Sequence, residues 1–346
     1  MRRLIIGFVL LAGILAAVAG VYYARVDEKY RGYTGVDQFV EIEPGTGTRA
    51  IGRQLVGAGV IRDEWTFRLA VFLTGTARQL KAGEYRFAGP MSAKDVTRVL
   101  ARGDIYLRPV TFPEGLTLVE MSRIYESRGL GSAASFLAAT RDTSAIRAID
   151  PQATDLEGYL FPETYNVPRK MNAAALVGRM VERFLTVYDE TMRQEAQAHN
   201  LKTRDLVTLA SIVEKESASA DERAEIAAVY GNRLRIGMPL QCDPTVIYAM
   251  EKSGHYNGNL TKKDLQMDSP YNTYRHPGLP PGPIASPGRS SIEAALRPAS
   301  VDYLYFVSRN DGTHVFATTL PEHNRNVKEW QVDFFKKQKA AGVPAQ

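Results

Sequence analysis

The chain has 346 residues, 45% hydrophobic and 23% charged, the composition of a folded protein with room for more than one domain. A net charge of +5, with no Lys/Arg run and no basic–aromatic stripe, excludes a nucleic-acid footprint and suits an anionic envelope or membrane neighbour. The lone Cys242 excludes an intrachain disulfide and reads as a small packed residue rather than a nucleophile. Five scattered histidines and no CxxC pattern signal no metal site.

At the N-terminus, Arg2 and Arg3 precede LIIGFVLLAGILAAVAGVYY (4–23), which carries no charge and is long enough to span a bilayer. Positive charge ahead of it argues for a cytoplasmic N-terminus. A cleaved signal peptide is the alternative, since AVAG (17–20) offers small residues. The run is longer than a usual signal h-region, and Tyr22, Tyr23 and Arg25 suit an interface, so an uncleaved anchor is favoured. Residues 1–25 are therefore expected to be a cytoplasmic tip and transmembrane anchor, and the polar residues 26–37 a linker.

Next comes an internal echo. VEIEPGTGTRAIGRQLVGAGV (40–60) resembles VTFPEGLTLVEMSRIYESRGL (110–130) at a constant offset of seventy residues, with Gly45 on Gly115 and Gly59 on Gly129. Each copy reads as a short strand, a glycine turn and an amphipathic helix stopped by glycine. Between them AGEYRFAG (82–89) alternates like a strand, and MSAKDVTRVLARG (91–103) reads as a helix with Ser92 as N-cap and Gly103 as its stop. Residues 38–150 are thus expected to form a LysM-like α+β region.

Longer helical patterns follow: 171–200, 201–217, and 220–237 opened by a Ser219-to-Glu222 capping box and closed by Gly237 and Pro239. YNTYRHPGLPPGPIASPGRS (271–290) is a long Pro/Gly-rich loop, and such loops are functional or disordered. SIEAALRPAS (291–300) reads as a short helix. YLYFVSRNDGTHVFATTL (303–320) reads as a β-hairpin turning at Asn310-Asp311-Gly312. The fold class is α+β: an N-terminal transmembrane helix, small LysM-like subdomains, a mainly helical domain over 151–335 with a C-terminal β-hairpin, and a tail over 336–346.

LASIVEKESA (209–218) places two glutamates at the end of an apolar helical run. At about 100° per residue, Glu216 falls on the face of Leu209, while Glu214 lies about 160° away and is expected to face solvent. A carboxyl group against apolar neighbours loses hydration, which raises its pKa and suits a general acid. A buried Glu tied to an Arg has the same pattern, so geometry leaves the choice open.

The ordered segments EGYLFPETY (157–165), TLASIVEKES (208–217), YGNRLRIGMPLQCDPTVIYAM (230–250), YNTYRHPGLPPGPIASPG (271–288) and YLYFVSRNDGTHVFATTLPEHN (303–324) resemble the YceG-like family of membrane-anchored endolytic murein transglycosylases. The resemblance implies one inner-membrane anchor with a periplasmic catalytic domain. It implies cleavage between N-acetylmuramic acid and N-acetylglucosamine inside glycan strands, leaving 1,6-anhydro-muramic acid ends. The family's catalytic glutamate, the second acid of its E-K-E-[ST] motif, is here Glu216. Peptidoglycan is the implied substrate, with penicillin-binding proteins or other wall-synthesis proteins as candidate partners, nascent-strand termination as a role, and no cofactor.

Expected substrate-binding residues are Tyr271, Asn272, Tyr274, Gln241, Glu163 and Ser217. Asn272 would hydrogen-bond acetamido groups and the tyrosines stack on sugars; a packed loop is the structural alternative. Asp243 reads as an N-cap with Pro244 at the first helical position. Glu157 is the alternative second acid, His314, His323 and Asn324 are structural or substrate-positioning, and Arg223, Arg233 and Arg235 would pair with stem-peptide carboxylates or with Glu214. Two rival functions stay open: a non-catalytic peptidoglycan-binding scaffold, and a hydrolytic muramidase that needs a second acid.

Overall fold

The computed structural model describes residues 2–169, 171–217 and 219–336. Two compact units form, Met1–Pro109 with Asn166–Arg169, and Val110–Tyr165 with Lys170–Gln346. Of the expected tail over 336–346, residues 337–346 lie outside the described residues.

The first unit opens with helix α1 (Arg2–Asp27). Within it Ile5–Asp27 has a mean hydropathy of 2.5; residues 5–21 are exposed, whereas Val26 near its end is buried against the first unit. At about 1.5 Å per residue, some 20 residues match the roughly 30 Å hydrocarbon layer. Strand β1 (Gln38–Ile42), helices α2 (Thr48–Gly57) and α3 (Glu64–Thr74), strand β2 (Gly83–Phe87) and helix α4 (Ala93–Arg102) follow. β1 and β2 pair antiparallel, from Gln38 opposite Phe87 to Ile42 opposite Gly83. Alternation puts Val40, Ile42, Tyr85 and Phe87 on one face. There they pack with Ile51 and Leu55 of α2, Phe67 and Val71 of α3, and Val96 and Leu100 of α4. Ser92 caps α4 by accepting from the Asp95 amide, and Gly103 ends it.

The chain passes between the units through strands β3 (Arg108–Thr111) and β4 (Thr164–Val167), which pair with each other. The seventy-residue echo is carried into the backbone. β1 starts at 38 and β3 at 108; α2 starts at 48, and α5 (Leu118–Ser127) at 118. Gly45 and Gly115 both sit in the left-handed region, at φ 81° and 77°, where a side chain is disfavoured. The same turn chemistry thus builds the same strand–turn–helix unit twice.

The second unit continues with α6 (Ala133–Ala139), α7 (Ala173–Val187), α8 (Glu190–Ala198), α9 (Thr203–Glu216), α10 (Arg223–Arg235), α11 (Asp243–Lys252) and α12 (Arg289–Leu296). Strands β5 (Tyr305–Ser308) and β6 (His314–Ala317) pair antiparallel before α13 (Leu320–Val327) and a π-helical turn, Lys328–Asp333. The helix expected over 171–200 is broken in two. Tyr188 leaves the helical conformation, and the Asp189 carboxylate caps α8 by accepting from the Met192 amide at 2.9 Å. The helix expected from residue 220 begins with a 3-10 turn, Ala220–Glu222. Its capping box is absent because the Glu222 carboxylate accepts instead from the His314 amide at 3.0 Å.

At the centre of this unit, α9 is buried at every position from Leu206 to Val213, with α8, α10, α11 and α12 packed against it. The Pro/Gly-rich loop is ordered by the same helix. Residues 282–288 are buried, the Ile284 amide donates to Ser211 Oγ at 3.0 Å, and Ser286 exchanges backbone bonds with Gly115 and Leu116 at 2.9 and 2.8 Å.

Candidate active site

Three elements converge on the Glu216 carboxyl group. α9 ends on Glu216, α10 contributes Tyr230, and Cys242 is the residue that caps α11. Tyr230 donates its hydroxyl to Glu216 Oε1 at 3.0 Å, and the Cys242 thiol donates to the same oxygen at 3.2 Å. Glu216 Oε2 has neither bond. Burial raises the Glu216 pKa above the ordinary 4.5, the two donors oppose that rise, and the Asp243 charge adds to it. Burial and the neighbouring acid push the Cys242 thiol well up, and burial does the same to Tyr230, so both stay protonated donors. Cys242 is therefore more than packing, correcting the expectation from sequence.

The neighbourhood is clamped from the loop. Thr273 Oγ1 accepts from the Cys242 amide at 3.0 Å and lies 2.9 Å from Thr245 Oγ1, while the Thr273 carbonyl accepts from the Gln241 amide at 3.2 Å. These bonds hold Gln241 at φ 50°, a left-handed conformation that a non-glycine residue adopts at a cost. Its side chain is exposed beside Cys242. Tyr274 donates its hydroxyl to Asp243 Oδ1 at 2.6 Å, so Asp243 is engaged by the loop, and the cap of α11 is Cys242 rather than Asp243. On the other side, the Phe306 ring meets Tyr230 edge-on at 5.9 Å and His314 at 5.3 Å. His314 Nδ1 lies 2.8 Å from Glu222 Oε2.

Glu214 overturns the expectation of a solvated acid. Its side chain is 5% exposed, paired with Arg223 at 3.0 Å, and it accepts from the Gly288 amide at 2.8 Å. Helical phase measured its direction correctly, but α10 and the start of α12 cover that side of α9. Arg223 does pair with Glu214, and also faces Glu114 at 3.6 Å. Arg233 serves backbone carbonyls, donating to Leu304 and Leu240 at 2.7 Å each.

Of the residues expected to bind substrate, Gln241 and Tyr274 lie in the Glu216 neighbourhood. Asn272 is fully buried. Its amide donates to the carbonyls of Leu265 and Met267, and its oxygen accepts from the Tyr274 amide, so it organises the loop with both of its N–H donors taken. Ser217 is buried and donates to the Ser219 carbonyl, which closes α9 rather than meeting a ligand. Glu163 pairs with Arg183 at 2.8 Å on an exposed surface, a structural tie. Tyr271 packs its ring on Tyr248 at 4.9 Å, toward the far end of α11. His323 stacks on Tyr305 at 5.1 Å.

Glu157 is separate from Glu216. It accepts from the Leu118 amide at 3.1 Å and from the Tyr248 hydroxyl at 3.2 Å, on the wall of a cavity of about 690 Å³. Tyr248 is six residues along α11 from Cys242, a rise of about 9 Å. Burial, helped by the Asp155 charge, pushes Glu157 up to about 8.

The contribution of Tyr230 and Cys242 was not legible in the sequence. Their contact with Glu216 joins three helices, and no local period marks it. The nearest signal was the quoted segment running from Tyr230 to Met250, which contains both.

The YceG-like family model matches residues 40–329. The chain belongs to the YceG-like family. Its similarity to curated proteins agrees: 34% identity over 301 residues to the endolytic murein transglycosylase of Bacillus subtilis, covering 83% of this chain and 82% of that protein. The Streptococcus pneumoniae protein of the same name is 33% identical over 324 residues, covering 84% of this chain and 58% of that longer protein. A crystal structure of a yceG-like protein from Listeria monocytogenes aligns with a TM-score of 0.58 at 33% identity, over 84% of this chain and 99% of that one. The YceG-like match spans both structural units, so the strand–turn–helix echo and the Glu216 neighbourhood fall inside it.

Proposed function

We propose that this chain is an endolytic lytic transglycosylase that cleaves the N-acetylmuramic acid–N-acetylglucosamine bond within peptidoglycan strands, with Glu216 as acid and then base. The observation that carries this reading is one carboxyl group held by two neutral donors at the end of a buried helix, its pKa raised by burial. The relatives' name supplies the substrate class.

The protonated Glu216 gives its proton to the glycosidic oxygen as the bond to C1 of muramic acid breaks. Tyr230 and Cys242, already aimed at Oε1, stabilise the carboxylate that results. That carboxylate then removes the proton of the sugar's own C6 hydroxyl while the C6 oxygen bonds to C1. No water is consumed, and the 1,6-anhydro ring replaces the broken bond. Glycosidases that add water or form a covalent intermediate need a second carboxylate, whereas an intramolecular hydroxyl acts at high effective molarity. The cationic sugar is stabilised by the substrate's 2-acetamido group or nearby dipoles.

Residues 38–150 are the LysM-like part of this reading, and α1 is an uncleaved single-pass anchor in the inner membrane with the rest of the chain periplasmic. Wall-synthesis enzymes such as penicillin-binding proteins are its candidate partners, and termination of nascent strands its role. The test is digestion of purified peptidoglycan by the detergent-solubilised full chain, with product ends read by mass spectrometry. Anhydro ends support the proposal. Reducing ends indicate a muramidase, and bound but intact strands indicate a scaffold.

A further inference from the structure

α3 is apolar on two opposite faces. Thr66, Phe67, Ala70 and Val71 are buried against the first unit. The other face carries Trp65, Leu69, Phe72 and Leu73 at the i, i+4, i+7, i+8 spacing of one helical stripe. Trp65 is 61% exposed, Phe72 79% and Leu73 42%. A soluble surface rarely carries such a contiguous apolar patch without a partner.

The partner is indicated by what lies beside the patch. Trp65 and Leu69 line an apolar groove of about 730 Å³ together with Val18, Ala19, Gly20, Tyr22 and Tyr23 of α1. These are the last residues of the uncharged run, immediately before Arg25 and Asp27. α1 is fastened there: Val26 is fully buried and packs with Ala70 and Ala93, and Asp27 pairs with Lys94 at 2.8 Å. α3 is thus held at the level where α1 changes from apolar to charged. The one charge on its outer face, Arg68, stacks over the Trp65 ring at 4.6 Å. Trp and Tyr beside a cation are the side chains that prefer the headgroup layer.

We propose that α3 lies in the lipid interface of the outer leaflet, with Trp65, Leu69, Phe72 and Leu73 among the acyl chains and Arg68 on anionic headgroups. This rests on reading α1 as a membrane span. The first unit is then fastened to the bilayer surface at two points, α1 and α3, and cannot swing freely on a tether.

The test uses the full chain carrying Trp330→Phe, which leaves Trp65 as its sole tryptophan, in nanodiscs of anionic lipid. Lipids brominated near the headgroup end of the acyl chain should quench most of the Trp65 emission, and lipids brominated near the chain end much less. Arg68→Glu should weaken that quenching without altering the far-ultraviolet circular dichroism. Unquenched Trp65 in a protein that resists alkaline carbonate extraction overturns the interfacial placement alone. Release by carbonate overturns the anchor reading and this proposal with it. Copy-to-copy crosslinking through residues 65 and 72, with lipid quenching absent, assigns the patch to a second chain and also overturns it.

Discussion

Glu214 and Glu216 are two residues apart, and their roles are set by what other helices bring to them. Glu214 meets a guanidinium and a backbone amide, which hold it inside the protein as a structural pair. Breaking such a pair leaves Arg223 buried with less counter-charge, so Glu214→Gln should lower stability by about 3 kcal/mol in urea denaturation while the folded fraction keeps its product pattern. Glu216 meets only neutral donors, and these lower a pKa that burial raises. Removing one of them moves the pKa further up. Cys242→Ala should therefore shift the alkaline limb of the kcat/KM profile upward by on the order of half a pH unit, because the required protonated acid persists to higher pH. Cys242→Ser, which restores a donor, should bring the limb back. A mere loss of packing would lower stability and leave the limb in place.

At the scale of elements, patterns that depend on local chemistry were legible. Ser92 as a cap rests on its side chain accepting from a nearby backbone amide, the glycine stop at 103 and the turns of the echo rest on left-handed glycines, and the structure places each where the sequence put it. Gly45 has open space around its missing Cβ, so Gly45→Ala isolates the backbone cost of φ 81°. It should destabilise the first unit by roughly 1 kcal/mol, read from hydrogen exchange of β1 and β2 amides. What failed was inference from one helix's own period. α9 carries a polar stripe on paper, yet it is surrounded, so the direction of Glu214 gave no information about water. The break at Asp189 was missed because the apolar spacing continues through it, while a capping aspartate overrides the period. Asn272 and Ser217 have the right chemistry for sugars, but backbone partners use it first.

For the molecule as a whole, a buried acid makes stability depend on pH. Glu157 titrates at about 8 in the folded protein against an ordinary 4.5. Between those values the folded chain keeps a proton that the unfolded chain has released, so unfolding becomes easier as pH rises through that window. The contribution is fully present below the ordinary value and lost above the raised one. Glu157→Gln, which keeps an acceptor for Leu118, should flatten this decline by a few kcal/mol in urea titrations at the two ends of the window. An unchanged slope would place the titration elsewhere. None of this requires Glu157 in the chemistry, and that separation bears on the central claim of a single catalytic carboxyl group. The most direct measurement is the mass spectrum of peptidoglycan ends after digestion by the wild-type chain and by Glu216→Gln, with Glu157→Gln as the control. The account predicts 1,6-anhydro-muramic acid ends from the wild type and from Glu157→Gln, and none from Glu216→Gln. Anhydro ends that persist in Glu216→Gln, or reducing ends that vanish in Glu157→Gln, would contradict it.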